Sequence, residues 1–292
     1  RLLVRGLTRS GLVLSSRPVD LALVARLGVD RLETRAVITE RGETRGRLQA
    51  RITGLPRGGA LGERLNAGSL FAQLRFNGPA EALWRLTGVE AFDLTGPVAV
   101  AADVTGSMAD PQVRGSVAST ALRLQSTLSG TDLRSVKARG RFTGSRLFLS
   151  SFAGITKGGG IVTGSGSVDL SSLGTRGPGI DLRISAKNAL LIDRDDMGAR
   201  VTGPLRIVSN GIGGTIAGRL SIDSARWQLG RAVSPATLPI IKTREINARA
   251  DVAPARAAAG SWTYLIDARA PNQVDVRGLG LDSEWSADIR LR

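Results

Sequence analysis

Residues 180–186 read Ile180, Asp181, Leu182, Arg183, Ile184, Ser185 and Ala186. Apolar and polar side chains alternate one by one, and a period of two sets Ile180, Leu182, Ile184 and Ala186 on one face of a strand, with Asp181, Arg183 and Ser185 on the other. The same alternation recurs along the whole chain. It is carried by Leu48, Ala50 and Ile52; by Leu70, Leu74 and Phe76; by Val98, Val100 and Val104; by Val201, Leu205 and Ile207; and by Ile216, Leu220 and Ile222. Val274 and Val276 continue it, followed by Trp285, Ile289 and Leu291. Such stretches are half-buried strands with one wet face. Helical spacing is scarce. Pro79 to Leu86 predicts one short helix, because proline suits a first turn and Leu83 and Leu86 share a face. Ser234 to Lys242, with two prolines, reads as a loop.

Glycine punctuates the alternation. It stands in pairs and triplets at expected turns (Gly58-Gly59, Gly158-Gly159-Gly160, Gly213-Gly214) and singly inside strands at Gly164, Gly166, Gly203 and Gly218, where it marks bends or close backbone approach. A degenerate repeat is visible: Leu94-Thr95-Gly96-Pro97-Val98 returns as Val201-Thr202-Gly203-Pro204-Leu205. No Ser-, Gly- or charge-rich linker separates compact units. Residues 1–292 therefore read as one continuous elongated domain with repeat-like sections 1–91, 92–198 and 199–292.

Composition removes whole classes of chemistry. The 292 residues contain no His and no Cys, which excludes disulfides, thiol catalysis, an imidazole base and nearly all zinc or copper sites. The net charge of +15 is dispersed: the three sections carry surpluses of +7, +3 and +5. Aromatics, at 4%, are too sparse and too far from dense basic runs to stack on nucleic-acid bases, so the basic balance reads as a solvated surface or one facing anionic phospholipid. The longest apolar runs, such as Leu21 to Ala25, fall far short of the ~20 residues that span a bilayer. Opening at Arg1, the chain reads as part of something longer, with any membrane anchor outside it.

Among all-β architectures, length decides. With strands of five to seven residues, the chain has room for roughly twenty, more than a sandwich or small barrel uses. A single sheet that wide must curl, and strands stacked about 4.8 Å apart would make a trough near 100 Å long with its apolar faces turned inward. Sparse aromatics leave that interior an apolar groove of the kind that takes ligands or membrane lipid. A closed β-sandwich or β-helix with a dry core is the competing architecture. The fold expected is thus all-β: an elongated curled sheet, an open trough with an apolar concave face and few short helices.

Four strings carry a family resemblance: LTGPVAVAADVTGSMADPQVRGSV (94–117), GGGIVTGSGSVDLS (158–171), ARVTGPLRIVSNGIGGTIAGRLSIDSA (199–225) and APNQVDVRGLGLDSEWSADIRL (270–291). Together they resemble the TamB family of AsmA-like bacterial envelope proteins. Pro271-Asn272, Val276-Arg277-Gly278 and Gly280-Leu281-Asp282-Ser283-Glu284 are the most specific part. Trp285 and Ala287 depart from the family's smaller residues there. The resemblance implies a periplasmic protein of a Gram-negative bacterium, anchored in the inner membrane by a segment outside this chain. Its middle would be a hydrophobic-lined trough, the β-taco. It further implies phospholipid transport between the two membranes, or outer-membrane protein assembly with an Omp85-type barrel partner contacted outside this chain.

In a trough the lining would be Leu182, Ile184, Val201, Leu205, Ile207, Ile216, Leu220, Ile222, Val274, Val276, Ile289 and Leu291. Acyl chains need a continuous apolar path rather than any one residue, so this stripe is the candidate lipid-binding groove. Arg183, Arg206 and Arg219 are expected on the outer face, or else near headgroup phosphates at the open edge. Asp193, Asp195 and Asp196 form a tight acidic cluster without the glycine and closing glutamate of a calcium loop, and read as a solvated turn. Ser165 has no histidine base and no strand-to-helix elbow. No catalytic residue, metal or cofactor is expected.

Overall fold

The alternation is realised as strands, which pair in sequence order because short glycine turns join neighbours. The computed structural model describes residues 2–7, 19–84, 92–126, 129–171, 177–230 and 262–292. Its strands are β1 (Leu2–Leu7), β2 (Val19–Leu27), β3 (Arg31–Glu40), β4 (Glu43–Thr53), β5 (Ser69–Pro79), β6 (Asp93–Thr95), β7 (Pro97–Gly106) and β8 (Pro111–Gln125). They continue as β9 (Asp132–Gly144), β10 (Arg146–Thr156), β11 (Ile161–Asp169), β12 (Gly179–Asp193), β13 (Met197–Ser209), β14 (Gly214–Gln228), β15 (Trp262–Gly278) and β16 (Leu281–Leu291). Two short helices, α1 (Leu61–Ala67) and α2 (Ala80–Trp84), interrupt them. All sixteen strands belong to one open sheet, β1 and β16 form its edges, and β6 lies off the main path beside β8. Every pairing is antiparallel except β14 with β15, which is parallel. The predicted helix is present as α2, with Leu83 packed on the core, while Leu86 and the Ser234–Lys242 loop lie outside the described residues. Helix α1 was not foreseen in the sequence pattern. It begins where the Glu63 carboxylate accepts the Ala60 N–H at 3.3 Å.

The expectation of about twenty short strands and a trough near 100 Å is corrected. Among the described residues fifteen strands follow one another along the sheet, which at about 4.8 Å per step gives about 67 Å. Strands β8, β12 and β14 have 15 residues and β15 has 17. These strands are long because each continues through an irregularity that, in sequence, looks like a strand end. In β12 the inward series Ile184, Ala186 slips by one residue at Asn188 (φ 47°) and resumes at Ala189. Comparable shifts fall between Ser119 and Leu122 in β8, between Arg200 and Val201 in the β13 pairing, and between Ala270 and Val274 in β15. A bulge bends its strand, and a row of them creases the sheet.

Burial peaks along this crease. Ala186 is 1% exposed, Ala189 0% and Ala270 1%, and Leu122, Val136, Val201 and Ile222 join them in the buried cluster. Small side chains suit the crease because the two limbs of the sheet converge there. Both limbs pack on the same cluster: Ile184, Leu220 and Ala268 from one, Leu191, Ala225 and Val274 from the other. Hydrogen bonds hold the line. Thr202 Oγ1 accepts the Asn188 N–H at 2.9 Å and donates to Asp223 Oδ2 at 2.6 Å, joining β12, β13 and β14. Farther along, the Leu190 N–H donates to Thr156 Oγ1 at 3.1 Å and the Asp193 N–H to the Ser129 carbonyl at 2.9 Å.

The degenerate repeat marks the same line. In its first copy Thr95 ends β6, Gly96 takes φ 103°, and Pro97 opens β7; β6 pairs with residues 123–125 of β8 and β7 with residues 111–118. Thus β6 and β7 are two limbs of one strand path, broken at the crease. In the second copy β13 passes through unbroken, with Gly203 at φ 143° and a side chain there excluded by the Arg219 carbonyl of β14.

Candidate functional site

Register decides which side chains share a face, since directly paired residues point to the same side. All twelve candidate lining residues fall on one face. Leu182 pairs with Ile207 and Ile207 with Ile216; Ile184 pairs with Leu205, which stands opposite Gly218, itself paired with Ile266 and so with Leu291. Leu220 lies beside Ala268 and Ile289, Val201 beside Ile222, and Val274 and Val276 continue the face past the β15 bulge.

The face extends well beyond these twelve. One row of direct pairs runs Leu21, Ile38, Gly46, Phe76, Val100, Val117, Gly140, Leu149, Gly166, Leu182, Ile207, Ile216 and Tyr264. It crosses thirteen strands, about 58 Å at 4.8 Å per step, with no charged residue. The next row, from Leu23 through Leu74, Phe142 and Ile180 to Trp262, is equally free of charge. Of the members in β2–β11, the sequence reading had placed Leu48, Leu74, Phe76 and Val100 on strand faces without assigning them to the lining. Trp262 and Tyr264 were missed because Leu265, directly after Tyr264, breaks the alternation.

Exposure rises from crease to lip. Val201, Ile222 and Val276 are buried; Leu182, Ile184, Leu205, Ile207, Ile216, Leu220 and Val274 are half-buried; Ile289 and Leu291 are 41% and 47% exposed. The sheet is one layer thick, so beyond the crease no second layer among the described residues covers its concave face. Glycine adapts the lining locally. Gly164 lies under the Phe152 ring, which would collide with any side chain there.

Charge is kept to the outer face and the turns. Arg183 and Arg206 are paired residues on the convex side, and Arg206 makes two 3.0 Å bonds to Asp181 that hold its carboxyl below the ordinary range. Arg183, Arg206 and Arg219 therefore stand on the face opposite the apolar lining. Asp132 accepts hydrogen bonds from Arg123 and Arg134, the Arg123 bond contributing most, and its carboxyl is lowered to about 2. In the acidic cluster, Asp193 pairs with Lys157 at 3.0 Å and Arg226 at 2.9 Å, and Asp196 with Arg194 at 2.9 Å. The Asp193–Arg226 pair ties the end of β12 to β14, and no metal-competent group of acids occurs among the described residues. Ser165 lies in the β11 row facing Arg183, without a base.

A single-layer sheet, creased lengthwise and carrying one uncharged face from strand to strand, defines an open β-trough protein. The family model of the TamB C-terminal domain matches residues 150–292, the span containing β11–β16 and all twelve predicted lining residues, which supports a TamB-family fragment. TamB proteins are bacterial envelope proteins of the translocation and assembly module, transport proteins rather than enzymes, working with an outer-membrane partner. No curated protein and no solved structure gives a significant match. No helix among the described residues is long and apolar enough to cross a membrane.

Proposed function

We propose that the concave face is a conduit for phospholipid acyl chains, passing lipid between the inner and outer membranes through the periplasm. The observation that carries this reading is the uncharged row from Leu21 to Tyr264 together with the half-exposed lining beyond the crease. Each methylene removed from water on such a surface is worth about 0.8 kcal/mol. Sliding from one strand to the next exchanges equivalent apolar contacts, so movement needs no covalent chemistry. Headgroups remain at the open side of the trough, in water. The anchor in the inner membrane belongs to a segment outside this chain.

A second reading is supported by the strand edges. Along β16 one row of backbone groups has no partner among the described residues, and such an edge accepts an added strand. On that reading the chain is a scaffold for outer-membrane protein assembly with an Omp85-type barrel.

Lipid extraction and mass spectrometry of the purified chain separate the two. The comparison is a variant with Leu205→Asp, Ile207→Asp and Ile216→Asp, all at half-buried positions away from the crease. Phospholipid retained by the parent and lost from the variant, with the β-sheet circular dichroism of both unchanged, supports the conduit. Equal lipid in both, or none in either, refutes it and leaves the scaffold.

A further inference from the structure

The convex face also carries a shaped feature. A shallow basin of about 430 Å³ opens across β4, β5, β7 and β8. Arg47 and Arg75 line it, and no acid does. Its floor is made of small side chains, Ala99, Ala101, Ser116 and Ala118.

Register concentrates the charge. Arg47 stands directly opposite Arg75, and the row continues through Ala101 and Ser116 to Arg141. Like charges directly opposite across a sheet repel, and the pair is stabilised when an anion lies between them. The Arg75 guanidinium is held in place: it donates to Asp103 at 2.8 Å and to the Leu74 and Ala102 carbonyls at 2.9 and 3.1 Å. It keeps further N–H donors unused by these bonds. Arg47 has no acid partner among the described residues, nor does Arg141. The charged groups around the basin on this face are Arg47, Arg75, Arg114, Arg139 and Arg141 against Asp103, a surplus of four positive charges, whereas Arg45, at the β4 bulge, lies on the Phe76 side of the sheet with Glu40.

We propose that this basin binds a phosphate group. Guanidinium forks suit phosphate oxygens in geometry as well as charge, and the small floor leaves room for a tetrahedral anion to sit between Arg47 and Arg75. The site lies on the opposite face of the sheet from the apolar lining, so it is independent of acyl-chain binding.

The test uses the whole chain with two probes, inorganic phosphate followed by the side-chain N–H resonances of Arg47 and Arg75, and flotation with phosphatidylglycerol or phosphatidylcholine vesicles. The variants are Arg47→Glu, Ala101→Leu, which fills the floor without changing charge, and Arg219→Glu, an equal charge change on a distant part of the convex face. Perturbation of both resonances by phosphate alone assigns the site to the phosphate group as a free ion. Preferential flotation with phosphatidylglycerol, without a phosphate response, assigns it to lipid headgroups. Either supports the basin if Arg47→Glu weakens binding at least tenfold, Ala101→Leu severalfold and Arg219→Glu less than twofold. Equal losses in Arg47→Glu and Arg219→Glu, no effect of Ala101→Leu, or no binding of either probe overturns it.

Discussion

Replacing Thr202 with Val keeps shape and β-branching but deletes the hydroxyl that joins two irregular strands at the crease. Two hydrogen bonds go: one of 2.9 Å from the Asn188 N–H and one of 2.6 Å to the Asp223 carboxylate. A neutral bond contributes about 1 kcal/mol net and one to a charged group about 1.5–3 kcal/mol. Asn188 is exposed and Thr202 and Asp223 half-buried, so water replaces part of what is lost, and about 2 kcal/mol is expected. A long sheet of nearest-neighbour strands need not unfold in one step, so hydrogen exchange is the suitable assay. Amide protection around residues 186–190 and 220–224 should fall about 30-fold in Thr202→Val, using 1.4 kcal/mol per tenfold. Thr202→Ser should retain most of it, and protection in β3–β5 should not change. Unaltered protection at Asn188 in Thr202→Val, or an equal fall throughout the sheet, would refute the crease as a locally fastened line.

The folded-state carboxyl of Asp132 lies near 2, below its ordinary 3.8, so the stabilisation it provides is present above pH 3.8 and is lost as pH falls through 2. Acid titration between pH 4 and 2 should loosen the β8–β9 turn in the parent, and Asp132→Asn should flatten that dependence; identical acid profiles would exclude the role. Ala189→Leu forces a larger side chain into a 0% exposed crease position and should cost about 1–3 kcal/mol in denaturant unfolding. Gly164→Val should be destabilising by a similar amount, about 1–3 kcal/mol, and partly rescued by Phe152→Ala, since the Phe152 ring occupies the space; additive losses in the double variant would contradict that packing.

The apolar face was legible wherever alternation is regular. Leu182, Ile184, Leu205, Ile207 and Ile216 were placed correctly on one side because a period of two leaves no other choice within a strand. The crease was not legible, because a bulge at Asn188 shifts the period by one residue and makes one 15-residue strand look like two short ones. Thr-Gly-Pro was visible as a repeat, but its meaning depends on β6 and β7 sharing β8 as a partner, which only pairing reveals. The parallel β14–β15 contact was hidden for the same reason. The basin joins Arg47 to Arg75 across 28 residues of sequence and exists only in the observed register. Predicting it would have required knowing that β4 and β5 pair without a slip.

The conduit is tested most directly by exploiting the period of two. A photo-crosslinking amino acid placed singly at Ile207, Ile216, Arg206 or Ala217 samples both faces of the same two strands, since Ile207 pairs with Ile216 and Arg206 with Ala217. In cells, lipid adducts at Ile207 and Ile216 with none at Arg206 and Ala217 are the predicted result. Adducts of equal yield at all four positions, or protein adducts alone at Ile207 and Ile216, would contradict a lipid path along the concave face.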